Sequence, residues 1–389
     1  MASKSCLEIA FIFGLVLVCT NAEEKVFNVL SYGAKADGVT DNSKAFLNAW
    51  ADACKWNGEA KLLIPLGVYM VNVVTFSGPC EKSTLTFQIK GIIKAPTSPK
   101  FFCDSSWISF QYINNLKIEG GGTLDGQGSF SWGKHQCSST TLGFDFVNNT
   151  IVSELHSMNS KNIHFKVFGC GNMTFSHVNI SAPPNSPNTD GIHISHSTNI
   201  HVLDSHIGTG DDCIAMIAGS NNINISGVTC GPGHGISIGS LGNSPNEVAK
   251  DIYVKNCTLI GTQNGLRIKT WASSIVGNVT NINYEDIIMK RVQNPIIIDQ
   301  NYCPTRHCSK KPSSVQIKDV TFNNIRGSSS SGRAVILDCS ALFPCENIIL
   351  NDINLVYYGH HAHATAFCAH AKGKATGKEL PPSCLNDSI

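Results

Sequence analysis

The sequence predicts an all-β protein: a single-domain parallel β-helix of short stacked strands, with one capping helix near its N-terminus. Three observations carry this. A phrase of Asn or Asp, an apolar residue, any residue and a second apolar residue keeps returning from about residue 115 onward. A second phrase, two apolar residues flanking an outward one, recurs between its copies. The helical apolar period is found between Asp41 and Trp56, not along the repeats, which argues against a helical solenoid.

In chain order, the first element is an address. Lys4 precedes an apolar run from Ile9 to Val18, then the small residues Thr20 and Ala22 and the charged Glu23-Glu24-Lys25. This is the pattern of a secretory signal over residues 1–22, with cleavage expected after Ala22. The run is too short to span a bilayer, so no membrane contact is expected of the mature chain, residues 23–389. Next, Ala45, Phe46, Ala49, Trp50 and Ala53 recur at helix spacing, with Asp41, Asn42 or Ser43 available as N-cap. Such a helix covers the backbone groups that an open solenoid end exposes.

The coils follow. The first phrase begins at Asn172, Asn199, Asn222, Asp251, Asn281, Asp319 and Asn347, at intervals of 27, 23, 29, 30, 38 and 28 residues. The second reads Ile192-His193-Ile194, Ile214-Ala215-Met216, Ile236-Ser237-Ile238, Leu266-Arg267-Ile268 and Ile296-Ile297-Ile298. Alternation within a copy is the strand period, and recurrence at this spacing is a solenoid signature. The last residues, from Gly359, are rich in His, Ala, Lys and Pro and are expected to form a terminal loop. His361, His363 and His370 in it imitate a metal site, but a loop would not fix their geometry.

Composition narrows the partners. In 389 residues, 29 basic and 28 acidic side chains leave a formal charge of +1, which excludes nucleic-acid binding driven by counterion release. Of the 16 Cys, Cys6 and Cys19 lie in the leader. An even fourteen remain, and disulfides are the default for most of them outside the cell. The pairs Cys303/Cys308 and Cys339/Cys345 lack the gap of a zinc knuckle, so no metal is expected. Sequons at Asn148, Asn172, Asn179, Asn224, Asn256, Asn278 and Asn386 fit the same secretory route.

Aligning coils on the second phrase places the chemistry. Two residues before the inward apolar position stand Asp190, Asp212, His234 and Asn264 in successive coils. Neighbouring strands lie about 4.8 Å apart, so Asp190 and Asp212 become neighbours, with Asp211 beside them. Arg267 and Lys269 point the same way from one strand. Strict alternation would turn the Asp190 column inward, so a bend is required, and Gly191, Gly235 and Gly265 permit one. Carboxylates this close cannot ionise independently: two charges about 4 Å apart repel by roughly 4 kcal/mol at an effective dielectric of about 20. An acid beside a base is what glycosidic hydrolysis needs. The nearby cations argue against a Ca²⁺ site and for an anionic ligand.

Asn188-Thr189-Asp190-Gly191, Gly210-Asp211-Asp212, Gly233-His234-Gly235 and Arg267-Ile268-Lys269, in this order, resemble the four motifs of the polygalacturonases of glycoside hydrolase family 28. The start Phe27-Asn28-Val29, Tyr32-Gly33-Ala34 and Asp37-Gly38 resembles that of many pectin-active β-helices. The resemblance implies a secreted, right-handed parallel β-helix of the plant cell wall that acts as a monomer on polygalacturonan without a cofactor. It implies Asp211 as general acid, Asp190 and Asp212 holding and activating water with inversion, and His234 tuning the acid. Arg267 and Lys269 would grip a galacturonate carboxylate, Tyr302 a sugar, and Asn188 the substrate or the carboxylates. Implied disulfides are Cys213–Cys230, Cys339–Cys345 and Cys368–Cys384. The stretch from Gly231 to Gly242 resembles plant pollen-type enzymes, usually exo-acting. Competing readings are an endo-acting hydrolase, a Ca²⁺-dependent pectate lyase, and a wall-polysaccharide-binding β-helix without turnover.

Overall fold

The recurring Asn or Asp occupies a left-handed corner of each coil. The computed structural model describes residues 4–10, 15–21, 24–80, 84–97, 106–133, 139–305, 308, 311–359 and 363–385. In it Asn172, Asn199, Asn222, Asp251, Asn281, Asp319 and Asn347 have φ between 51° and 57°. Asn and Asp enter that region at lower cost than other residues bearing a Cβ. Their amides then stack from coil to coil. Asn172 Nδ2 donates to Asn149 Oδ1 at 3.0 Å, Asn199 to Asn172 at 2.8 Å and Asn222 to Asn199 at 2.6 Å. A glycan on Asn172 would break this ladder.

Between corners the chain forms three parallel ladders, the expected right-handed parallel β-helix. Eleven strands in strict chain order, from Val74–Ser77 to Thr365–Ala369, make the sheet that carries the site. The other two ladders join where the long strand Gly277–Val292 pairs with both Glu247–Lys255 and Thr258–Ile260. Inward residues of the second phrase fill the coil interior: Ile192, Ile194, Ile214, Met216, Ile236 and Ile238 are all buried, and continuous apolar columns of this kind hold parallel sheets together.

The capping helix spans Ser43–Lys55 and buries Ala45, Phe46, Ala49, Trp50 and Ala53, the five residues its period singled out. Trp50 packs on Phe76, ring centroids 5.1 Å apart, and its indole N–H donates to the Ser77 carbonyl at 3.1 Å. Asn42 stands at the N-cap, but its amide bonds the backbone of Lys35, Thr40 and Met70. Asp41 Oδ1 instead accepts from the Ser43 N–H at 3.0 Å.

One expectation changes. The tail is not a loop: Thr365–Ala369 and Ala371–Leu380 form the last coil, with His370 in the left-handed corner between them. His363 lies just before it, and His361 is outside the described residues, as are Asn386 and the expected cleavage point at Ala22. Disulfides join Cys54–Cys80, Cys213–Cys230, Cys303–Cys308, Cys339–Cys345 and Cys368–Cys384, the three implied pairs among them. Cys170 and Cys257, however, are free thiols buried in the coils, and burial pushes Cys257 up to about 12. Within the expected leader, Lys4–Ala10 and Leu15–Asn21 pair antiparallel with each other and, among the described residues, with no coil strand. No described helix is long and apolar enough to cross a membrane.

Candidate active site

Strand register assembles the site. Ile192–Ser195 pairs with Ile214–Met216, that strand with Ile236–Leu241, and that one with Asn264–Trp271. The acidic residues lie at the turn entering these strands, and backbone hydrogen bonds lock one turn to the next. The Gly191 N–H donates to the Asp212 carbonyl at 2.8 Å, and the Cys213 N–H to the Gly235 carbonyl at 2.8 Å. Thr189 is fully buried, and its Oγ1 accepts from the Gly210 N–H at 2.9 Å, tying the Asp190 turn to the Asp211 turn. The required bend is present. Gly235 takes φ +94°, where a side chain is strained, whereas Gly191 is needed because a Cβ there would run into the Cys213 carbonyl. The Cys213–Cys230 disulfide holds the residue next to Asp212, joining cysteines 17 positions apart.

The three carboxylates have different partners, and this sets their protonation. Asp212 is enclosed, its side chain 2% exposed. Arg267 Nη2 donates to its Oδ1 at 2.6 Å, Ser237 Oγ to the same oxygen at 2.8 Å, and Lys269 Nζ to Oδ2 at 2.8 Å. Burial opposes its charge, but the Arg267 and Lys269 cations and the hydrogen bonds overcome that and hold it down to about 2. Asp190 goes the other way. Burial pushes it above the usual carboxylate range; His193 Nδ1, 3.1 Å from Oδ2, opposes this, and the negative charges of Asp212 and Asp211 add to it. Asp211 is the most open of the three, 22% exposed, with Oδ1 3.0 Å from His234 Nδ1. One side therefore offers a carboxylate held ionised and the other a carboxylate of raised proton affinity.

Arg267 and Lys269 are thus not free clamps. Arg267 also donates from Nε to Ser237 Oγ at 2.9 Å, so both cations are anchored on Asp212 and face a ligand only with their remaining N–H groups. Tyr302 is beside them: Lys269 Nζ lies 5.2 Å from its ring centroid, and Trp271 props the ring edge-on at 5.2 Å. Asn188 is exposed at the rim in a left-handed conformation, φ 53°, while its neighbour Thr189 makes the turn's internal bonds. Ligand-type atoms of Asp211, Asp212 and His234 lie within 4.8 Å of one another, as cation sites require, but the Arg267 and Lys269 cations sit on the two Asp212 oxygens and would repel a metal ion.

His193 and Ser237 were not foreseen as site residues, although both stand in the outward column that contains Arg267. Their signal was position: His193 follows Asp190 by three residues into the adjoining strand, and Ser237 stands one strand from Asp212, both within hydrogen-bond reach.

Comparison with known proteins gives the family of the chain. The family "Glycosyl hydrolases family 28" matches residues 54–377. An exopolygalacturonase of Platanus acerifolia is 44% identical over 92% of this chain and 97% of its own, and a polygalacturonase of Prunus persica is 42% identical over 98% and 99%. Among solved structures, the endo-xylogalacturonan hydrolase of Aspergillus tubingensis superposes with a TM-score of 0.81 at 24% identity, covering 91% of this chain and all of that one. A hyperthermoactive exopolygalacturonase of Thermotoga maritima gives 0.72 at 19%, covering 85% and 88%. Such likenesses establish the coil, and the matched length and sequence identity settle the rest: this chain belongs to glycosyl hydrolases family 28.

Proposed function

We propose that the protein is a secreted polygalacturonase of the plant cell wall. It cleaves α-1,4-galacturonosyl bonds of de-esterified pectin by single displacement, from a chain end. The observation that carries the reading is the split among the carboxylates: Asp212 held ionised, Asp190 held toward its protonated form, and Asp211 open to a ligand. Asp211 delivers the proton to the leaving glycosidic oxygen, with His234 Nδ1 against its Oδ1. Asp212 orients a water on the opposite face of the sugar. Asp190, whose proton affinity is raised toward the working pH, takes the proton that this water loses on attacking the anomeric carbon. The leaving unit departs as an alcohol, and solvent exchanges the two protons back. Activity peaks below neutral pH, because the acid must enter each cycle protonated.

The cations beside Asp212 suit a uronate, whose carboxylate meets the unused N–H groups of Arg267 and Lys269 with Tyr302 against the ring. They also count against a Ca²⁺-dependent lyase. End-directed action is favoured by the 44% and 43% identities to exopolygalacturonases of Platanus acerifolia and Oenothera organensis. The test is the product profile on defined oligogalacturonates and on polygalacturonate. Release of short, uniform products with slow loss of viscosity is expected. Early collapse of viscosity would make the enzyme endo-acting, and an unsaturated, chelator-sensitive product would make it a lyase.

A further inference from the structure

The coil preceding the carboxylates carries a cation and an aromatic ring that the reaction above does not use. Phe165–Phe168 pairs with Ile192–Ser195, placing Lys166 beside His193 and Phe168 beside Ser195 on the outward face. Lys166 thus stands one strand from the histidine that holds Asp190. Among the described residues Lys166 has no anionic partner, whereas Arg267 and Lys269 are both anchored on Asp212. Its Nζ lies 5.7 Å from the Phe168 ring centroid, close to the 5.2 Å between Lys269 and Tyr302 on the other flank. Phe168 is half-buried and fixed edge-on against Phe146 at 5.5 Å, so its place is set by packing.

One coil further the chemistry reverses. Gly143 replaces the cation next to Lys166, and Asp145 stands next to Phe168, its Oδ2 accepting from Gln111 Nε2 at 3.3 Å. A uronate is welcome at Lys166, and a second one beyond it meets a carboxylate.

We infer that Lys166 and Phe168 form a subsite for a single terminal galacturonate. The Lys166 ammonium takes its carboxylate, Phe168 packs against the apolar face of its ring, and Asp145 keeps a further uronate from following. This rests on the polygalacturonase reading and adds a physical basis for end-directed cleavage.

The test uses trigalacturonate, unmodified or methyl-esterified at one terminal unit or the other, with wild-type protein, Lys166→Met, Lys166→Arg and Asp145→Asn. Wild type is expected to discriminate roughly 10- to 100-fold in kcat/KM against one of the two esters, the scale of one charged hydrogen bond. Lys166→Met should lose a similar factor on the unmodified trimer and stop discriminating, with its melting temperature unchanged. Lys166→Arg should restore most of the discrimination, and on tetragalacturonate, where wild type gives monomer and trimer first, Asp145→Asn should release a larger share of dimer. Undiminished kcat/KM and ester discrimination in Lys166→Met would overturn the subsite alone. A wild-type protein that cleaves no galacturonan would overturn the functional reading, and the subsite with it.

Discussion

Asp211→Asn is expected to lower kcat on oligogalacturonates by about 10²- to 10⁴-fold, the range of a positioned general acid. The argument is geometric. Asp211 is the most open of the three carboxylates, so it is the one from which a proton can reach a glycosidic oxygen in the cleft. An amide keeps the shape and the hydrogen bond to the Asp212 N–H, 2.8 Å in the native chain, but has no proton to deliver. KM should change little, and thermal unfolding should be almost unaffected, because the side chain is partly exposed and holds no buried charge. Near-native turnover by this variant would remove Asp211 from the role of acid.

Asp212→Asn should damage both activity and fold. Arg267 and Lys269 would be left as two cations with no anion between them, and removing one partner of a buried pair costs about 3–5 kcal/mol. The amide oxygen still accepts one hydrogen bond, so the lower end is expected, about 3 kcal/mol. The pH dependence gives a sharper signature. Asp212 lies near 2 in the fold against an ordinary 3.8. A depressed carboxylate contributes stability above its unfolded value and loses it as pH falls through the folded one, here about 2 kcal/mol between pH 4 and 2. Asp190 is raised, so its contribution is full below the ordinary value and fades as pH rises through the folded one. Wild-type stability should therefore be greatest in mild acid. Asp212→Asn should flatten the acid limb and also shrink the alkaline one, because the Asp212 charge is one of those that raise Asp190. Denaturant unfolding followed from pH 2 to 7 checks this, and an unchanged acid limb would show that Asp212 is not held by the two cations.

The coil was legible because its determinants are local. Asn and Asp enter the repeated corner at lower cost than other residues bearing a Cβ, and apolar residues dominate the inward columns, so both leave a mark at fixed spacing. The carboxylates were legible for the same reason, being stacked by register. The last coil was not. Ala371–Leu380 has no inward row of large apolar residues; Gly373 sits where a Cβ would meet the Ile348 carbonyl, and Lys372, Lys374 and Lys378 line an exposed edge. Lysines on an edge strand discourage pairing with another chain, and by composition such a strand looks like a loop. Nor did the sequence reveal where Arg267 and Lys269 point. Two cations beside three carboxylates fit either a ligand clamp or an internal ion pair, and only the distances to Asp212 decide. Nor could parity single out Cys170 and Cys257: an even count is compatible with two separate buried thiols.

The most direct measurement of the whole account is the anomeric configuration of the first sugar released from an α-linked oligogalacturonate, followed by proton NMR before mutarotation. A water held across the sugar from Asp211 by Asp190 and Asp212 gives the β-anomer first. An α-anomer appearing first would mean that a side chain, not water, attacks the anomeric carbon, and the division of labour among the three carboxylates would be wrong.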